Sequence, residues 1–174
     1  MAYYYHYPNS KVPLHEIMVL RTYGDDSAAG VSPSYPLMNI KSILHAWNDI
    51  GIQGTDIHKN KVSNITYYKL EELEFLKREM VYNEDFGYYV APLSKDSMFK
   101  SLSCHVPTKS VSVEELTGQC VDNFLLEAKF HGREFYETSR EKLKDIMLQL
   151  DLLRFSNSLN LSYDEVVSIW KEQL

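Results

Sequence analysis

The sequence predicts an α+β chain in which a mixed strand and helix part comes first and an all-helical part follows. Three observations predict it. Short apolar runs flank tight turns at Gly24-Asp25-Asp26 and Asn83-Glu84-Asp85, the pattern of two hairpins. Between them, apolar residues recur at helical spacing from Leu37 to Ile50. After Pro107 three helical stripes follow, two of them opened by capping boxes. The expected division is therefore residues 1–106 and residues 107–174.

The 174 residues match one domain in length and suffice to bury a core. A hydrophobic content of 44% and a charged content of 24% are those of an ordinary soluble protein. No apolar run reaches the length of a membrane span, and Met1 to Tyr7 lacks the regions of a signal peptide, so the chain reads as cytosolic. A formal net charge of −6 argues against a generic basic nucleic-acid surface. Any such role must rest on a particular site. Cys104 and Cys120 have no metal-ligand spacing and read as buried thiols. In a cytosolic chain the sequons at Asn64 and Asn160 carry little weight.

Four tyrosines in the first seven residues fit either a base-stacking platform or, more commonly, the last turns of a packed helix. A domain seldom opens inside such a segment, so the chain reads as starting within an element. Glu16 to Leu20 is apolar and strand-like, Gly24 supplies the backbone freedom a turn needs, and Ser27 to Val31 can pair back. Asp25 and Asp26 then sit side by side at the tip. Adjacent carboxylates are costly as bare charges and useful as hard oxygen ligands for divalent cations. On its own, such a tip is most often an acidic surface turn.

Pro36 suits the first turn of a helix whose apolar face carries Leu37, Ile40, Ile43, Leu44, Trp47 and Ile50, with Gly51 as its stop. His45 and Trp47 read as packing residues. From Ile52 to Tyr68 the pattern is polar and irregular, and Asp56 with His58 reads as a solvated pair in a loop that also holds Lys59 and Lys61. Glu74 to Tyr82 reads as one strand, placing Lys77 and Arg78 on opposite faces. One of the two could then reach a phosphate while the other pairs with a neighbouring glutamate. Phe86 to Ala91 returns antiparallel, Pro92 closes the hairpin, and Lys95 to Leu102 forms a short helix.

In the second part, Ser112 to Glu115 and Ser162 to Glu165 have capping-box spacing. Leu116, Cys120, Phe124, Leu125 and Ala128 form the first stripe, which ends near Gly132. Tyr136, Leu143, Ile146, Met147 and Leu150 form the second, and Tyr163, Val166, Val167, Trp170 and Leu174 the third.

In this order, the features resemble the C-terminal part of an RNA-dependent RNA polymerase of the picorna-like positive-strand RNA viruses. Tyr23-Gly24-Asp25-Asp26 between apolar strands resembles the family's motif C. The helix from Leu37 to Ile50 and the loop to Lys59 resemble motif D. Phe75-Leu76-Lys77-Arg78 matches the Phe-Leu-Lys-Arg of motif E, and Phe130 to Tyr136 is similar to a His-Gly-acidic-Tyr junction between two thumb helices. Single motifs of this kind are weak; their order and spacing over nearly the whole chain are much stronger.

The resemblance implies a partial palm over residues 1–106 and a helical thumb over 107–174. It implies Asp25 as a direct ligand and Asp26 as an accessory ligand of Mg²⁺, or of Mn²⁺, in a two-metal nucleotidyl transfer. Lys59 becomes the general acid for departing pyrophosphate, with Lys61 as its competitor. Tyr23 and Gly24 shape the turn near the primer end, and Leu76, Lys77 and Arg78 form a primer grip. The implied partners are RNA template and primer, nucleoside triphosphates, and the fingers with motifs A and B, which have no counterpart here. The implied location is the host cytoplasm, at viral replication complexes. A reverse transcriptase palm and thumb, or a non-catalytic helical interaction module with Asp25 and Asp26 on a surface turn, are the alternatives.

Overall fold

Residues 2–61, 66–103 and 110–173 are described by a computed structural model, and they form two compact units, Met1–Leu76 and Lys77–Leu174. Cys104, the first two residues of the Asn64 sequon, Leu174 and the expected boundary at 106 and 107 lie outside the described residues. The architecture is mixed, with helices and small two-stranded antiparallel sheets, as an α+β chain requires.

The first unit is built on tyrosines. Helix α1 (Ala2–His6) buries Tyr3, whose hydroxyl lies 2.6 Å from both the Ser10 hydroxyl and the Val12 carbonyl oxygen. The Tyr3, Tyr7 and Tyr35 rings pack with centroids 5.1 to 6.2 Å apart, beside the buried Ile17 and Met38. Tyr3 and Tyr7 are therefore core residues, while Tyr4 faces solvent. A helical turn, α2 (Leu14–Ile17), occupies the beginning of the expected first strand. The strand itself, β1 (Met18–Tyr23), pairs antiparallel with β2 (Asp26–Val31) from Met18 opposite Val31 to Tyr23 opposite Asp26.

Helix α3 (Ile40–Asp49) starts three residues later than the apolar pattern suggests. Asn39 caps it: its side chain accepts from the Ser42 amide while the Ser42 hydroxyl accepts from the Asn39 amide. This reciprocal cap satisfies two otherwise unpaired donors, so Pro36 and the exposed Leu37 stay outside the helix. Leu44 is buried, whereas His45 is exposed and pairs with Asp49. The chain then folds back so closely that a Cβ at Gly54 would lie 2.5 Å from the Trp47 ring.

The sequence reading of Glu74 to Tyr82 as one strand is corrected. Strands β3 (Glu74–Phe75) and β4 (Arg78–Glu79) are joined by a turn at Leu76 and Lys77, which take φ of 55° and 63°. Positive φ at both central positions is the type I′ hairpin pattern, here without the glycine or asparagine that normally announces it.

In the second unit, β5 (Val81–Asn83) and β6 (Tyr88–Val90) form a hairpin in register from Val81 opposite Val90 to Asn83 opposite Tyr88. This hairpin packs with the helices α4 (Lys95–Ser103), α5 (Val113–Ala128), α6 (Arg133–Gln149) and α7 (Tyr163–Glu172). Phe86 and Val90 share one core with Met98, Phe124, Leu125, Tyr136, Met147 and Val166. Ser112 with Glu115, and Ser162 with Glu165, make the expected capping boxes. Helix α5 passes so near Phe155 that a Cβ on Gly118 would lie 2.0 Å from that residue's carbonyl oxygen. On α6 the buried face is narrower than expected: Tyr136 and Met147 are buried, while Ile146 and Leu150 are exposed. Cys120 is half-buried rather than buried.

Candidate active site

The register of β1 and β2 leaves Gly24 and Asp25 as a two-residue loop. Gly24, at φ 60°, is the only turn residue with positive φ, which matches the type II′ turn with glycine at its first central position. Asp25 projects from the loop, and Asp26 is the first paired residue of β2, opposite Tyr23. Tyr23, Gly24, Asp25 and Asp26 are all exposed. No group of three or more His, Cys, Asp or Glu able to hold a metal ion occurs among the described residues. The tip therefore presents two carboxylates, the hard oxygen donors that magnesium prefers, and a third donor would have to come from elsewhere.

Lys59 lies in the same unit on a loop that is more ordered than its polar sequence suggests. Asp56 is only 5% exposed. Its Oδ1 accepts from the backbone amides of His58 and Asn60, each at 2.9 Å. Its Oδ2 accepts from Asn60 Nδ2 at 3.2 Å and from the Tyr68 hydroxyl at 3.3 Å. Lys59 has φ 63° and is exposed. The reading of Asp56 and His58 as a solvated pair is thus corrected: Asp56 organises the loop, and exposed His58 sets its ring against Tyr68. Lys61 Nζ lies 3.5 Å from Gln53 Oε1. Among the described residues, no hydrogen bond or ion pair joins Lys59 to Asp25 or Asp26.

Of the three residues expected to form a primer grip, Leu76 ends the first unit, and Lys77 and Arg78 open the second. Lys77 is exposed. Arg78 Nη1 donates to Glu127 Oε2 at 2.9 Å and to the Ala91 carbonyl at 2.7 Å, and Nη2 donates to Glu127 Oε1 at 2.7 Å. Burial pushes the Glu127 carboxyl up, but the bonds and charge of Arg78, a backbone hydrogen bond from Leu93 and the charge of Lys129 together outweigh it and hold the group below its usual value. The partner is a glutamate 49 residues away, on α5, which no local pattern could identify.

At the junction from α5 to α6, Gly132 takes φ 92° and His131 Nε2 lies 2.8 Å from the Leu93 carbonyl oxygen. The carbonyl can only accept, so Nε2 carries the proton. Burial lowers the His131 pKa. Beside it, Lys129 is 2% exposed, donates to the Leu126 carbonyl at 2.8 Å, and lies 4.1 Å and 4.5 Å from the Trp170 and Phe130 ring centroids. Burial brings its pKa down to about 8. Sequence reasoning missed this ammonium among the aromatics, because Phe130 and Trp170 are 40 positions apart.

Comparison with known proteins places these features in a family context. Residues 3–149 match the family model described as viral RNA-dependent RNA polymerase. The chain is 31% identical over 142 residues to the RNA1 polyprotein of Cherry rasp leaf virus, covering 78% of this chain and 6% of that protein. It is 26% identical over 144 residues to the replicase polyprotein of Drosophila C virus, covering 78% of this chain and 7% of the relative. With the genome polyprotein of Rice tungro spherical virus (strain Vt6), identity is 24% over 155 residues, or 85% of this chain and 4% of the relative. The chain spans well under a tenth of the length of these relatives.

Proposed function

The chain belongs to the viral RNA-dependent RNA polymerases, in the form found in picorna-like viruses, and from that premise we propose that it supplies the motif C to thumb portion of a longer polymerase. In this reading residues 1–106 are palm and residues 107–174 are thumb. The reaction is template-directed transfer of a nucleotide from a nucleoside triphosphate to an RNA 3′-hydroxyl, in the host cytoplasm at viral replication complexes.

The observation that carries the proposal is the type II′ tip of β1 and β2, which presents Asp25 and Asp26 to solvent as hard oxygen donors. Asp25 would hold the divalent cation directly and Asp26 would assist, sharing the site with a carboxylate from motif A. A bound Mg²⁺ there would supply Lewis-acid stabilisation of phosphoryl oxygen and a lowered pKa for the primer hydroxyl. Gly24 permits the tight turn, and Tyr23 flanks it beside the primer end. Lys59 donates an Nζ proton to the pyrophosphate oxygen that departs when the α-phosphorus bonds to the primer oxygen. That role favours Lys59 over Lys61, which already neighbours Gln53.

Leu76 and Lys77 form the turn of the primer grip, which would meet the RNA backbone rather than base edges. Arg78 supports that turn through Glu127. Such binding is independent of sequence and weakens with salt.

The test is primer extension on an RNA template by the longer polymerase that contains this chain, with ribonucleotides and deoxyribonucleotides supplied separately. Ribonucleotide incorporation supports the reading. Preferred deoxyribonucleotide incorporation points to a reverse transcriptase, and no incorporation of either contradicts the proposal.

A further inference from the structure

Lys59 combines two properties that oppose each other. Its side chain is exposed, with no hydrogen bond or ion pair among the described residues, yet its backbone is held at φ 63°, a left-handed conformation that residues other than glycine seldom adopt. Something must hold the backbone there. The groups that do so converge on Asp56. The His58 and Asn60 amides, on either side of Lys59, both donate to Asp56 Oδ1, while the Lys59 amide donates to the Asp56 carbonyl at 2.9 Å. The Asp56 amide in turn donates to the Asn60 carbonyl at 3.0 Å, closing the loop on itself. Asn60 Nδ2 and the Tyr68 hydroxyl anchor the other carboxylate oxygen. A buried carboxylate is costly unless hydrogen-bonded, so each of these bonds is held firmly.

We propose that Asp56 is the positioning residue for the leaving-group acid, fixing residues 56–60 so that Lys59 stands clear of the protein's own carboxylates and reaches the departing pyrophosphate. This deepens the proposed function and rests on its assignment of Lys59. In the step concerned, the primer oxygen forms its bond to the α-phosphorus and its proton passes to water. The bond between the α-phosphorus and the bridging oxygen breaks with its electron pair on that oxygen, which takes a proton from Lys59 Nζ. Asp56 exchanges no proton in this step. It restricts where the donor can be.

The experiment is single-nucleotide incorporation by the longer polymerase under pre-steady-state conditions, comparing Lys59→Leu, Asp56→Ala, Asp56→Asn, Asn60→Ala and the double variant Asp56→Ala with Lys59→Leu. Loss of the acid is expected to lower the maximal rate by about 100-fold. Loss of its positioning by Asp56→Ala should lower it by about 10-fold or more, with the apparent nucleotide affinity within a few-fold of the parent. Asp56→Asn keeps an oxygen for the His58 and Asn60 amides and should restore most of the rate. The double variant should be no slower than Lys59→Leu alone. If Asp56→Ala does not fold, Asn60→Ala serves, because it deletes one anchor and keeps the carboxylate; a several-fold loss of rate is expected, and Asn60→Ala combined with Lys59→Leu should then be no slower than Lys59→Leu alone. Wild-type rates for Asp56→Ala or Asn60→Ala, beside a slow Lys59→Leu, overturn the role of Asp56. So does an equal loss with and without Lys59, which marks general damage. A wild-type rate for Lys59→Leu instead overturns the reading of Lys59 itself.

Discussion

Replacing Arg78 by alanine removes three charge-assisted bonds at once, two to Glu127 and one to the Ala91 carbonyl. It also leaves a partly buried carboxylate without its cation. The side chains of Arg78 and Glu127 are 35% and 25% exposed, so solvent screens part of the effect. A loss of about 2–4 kcal/mol is expected, below the sum of three full charged hydrogen bonds. The assay is urea unfolding of the 174-residue chain carrying Trp47→Phe, which leaves Trp170 as the only tryptophan and hence the fluorophore of the second unit. With an unfolding slope of about 1–2 kcal/mol per molar urea, the midpoint should fall by roughly 1–4 M.

The pH dependence follows from Glu127, whose folded-state pKa lies below the usual value. A lowered carboxylate pKa contributes stability above the unfolded value, and that stability is lost as pH falls through the folded one. The difference between parent and variant should be full at pH 7 and shrink below about pH 4.5. An unchanged midpoint, or a difference that stays constant down to pH 3, would show that the Arg78 and Glu127 pair does not stabilise the second unit.

Lys129→Met removes a buried ammonium whose folded-state pKa lies near 8, well under the ordinary lysine value. In the parent the unfolded state binds more protons between about pH 8 and 10.5, so stability rises with pH over that window. The methionine variant should be more stable than the parent at pH 7 by about 1–3 kcal/mol, an advantage that disappears by pH 10.5, as paired urea titrations would read. Gly118→Ala forces a Cβ onto the Phe155 carbonyl and should destabilise the second unit by at least about 2 kcal/mol in thermal unfolding. Gly24→Ala meets no atom within 4 Å but must adopt φ 60°, so a smaller loss of about 1–2 kcal/mol, confined to amide exchange in the β1 and β2 hairpin, is expected.

What could be read from the sequence was what is local. The Gly24 turn, both serine capping boxes, the central part of the apolar stripe of α3 from Ile40 to Trp47 and the helical junction at Gly132 depend on residues a few positions apart, and all four are found. The misread elements depend on distant partners or on strain. Leu76 and Lys77 turn the chain without glycine, so β-propensity suggested an unbroken strand. Arg78 finds Glu127 on a helix far along the chain. Asp56 is buried by the fold of its own loop and by Tyr68, although the spacing of Asp56, His58 and Asn60 was a visible sign of a side chain that caps backbone amides. The exposed Ile146 and Leu150 show how an apolar stripe can exceed the face that is covered.

If the exposed Asp25 is a metal ligand in nucleotidyl transfer, Asp25→Asn should disable the site. The substitution keeps the size and the turn while removing the charge. In the longer polymerase, the single-nucleotide incorporation rate should fall by about 1,000-fold, the effect of losing several kcal/mol of transition-state stabilisation, with folding and RNA affinity retained. Incorporation within a few-fold of the parent rate would contradict it and return the hairpin tip to an acidic surface turn.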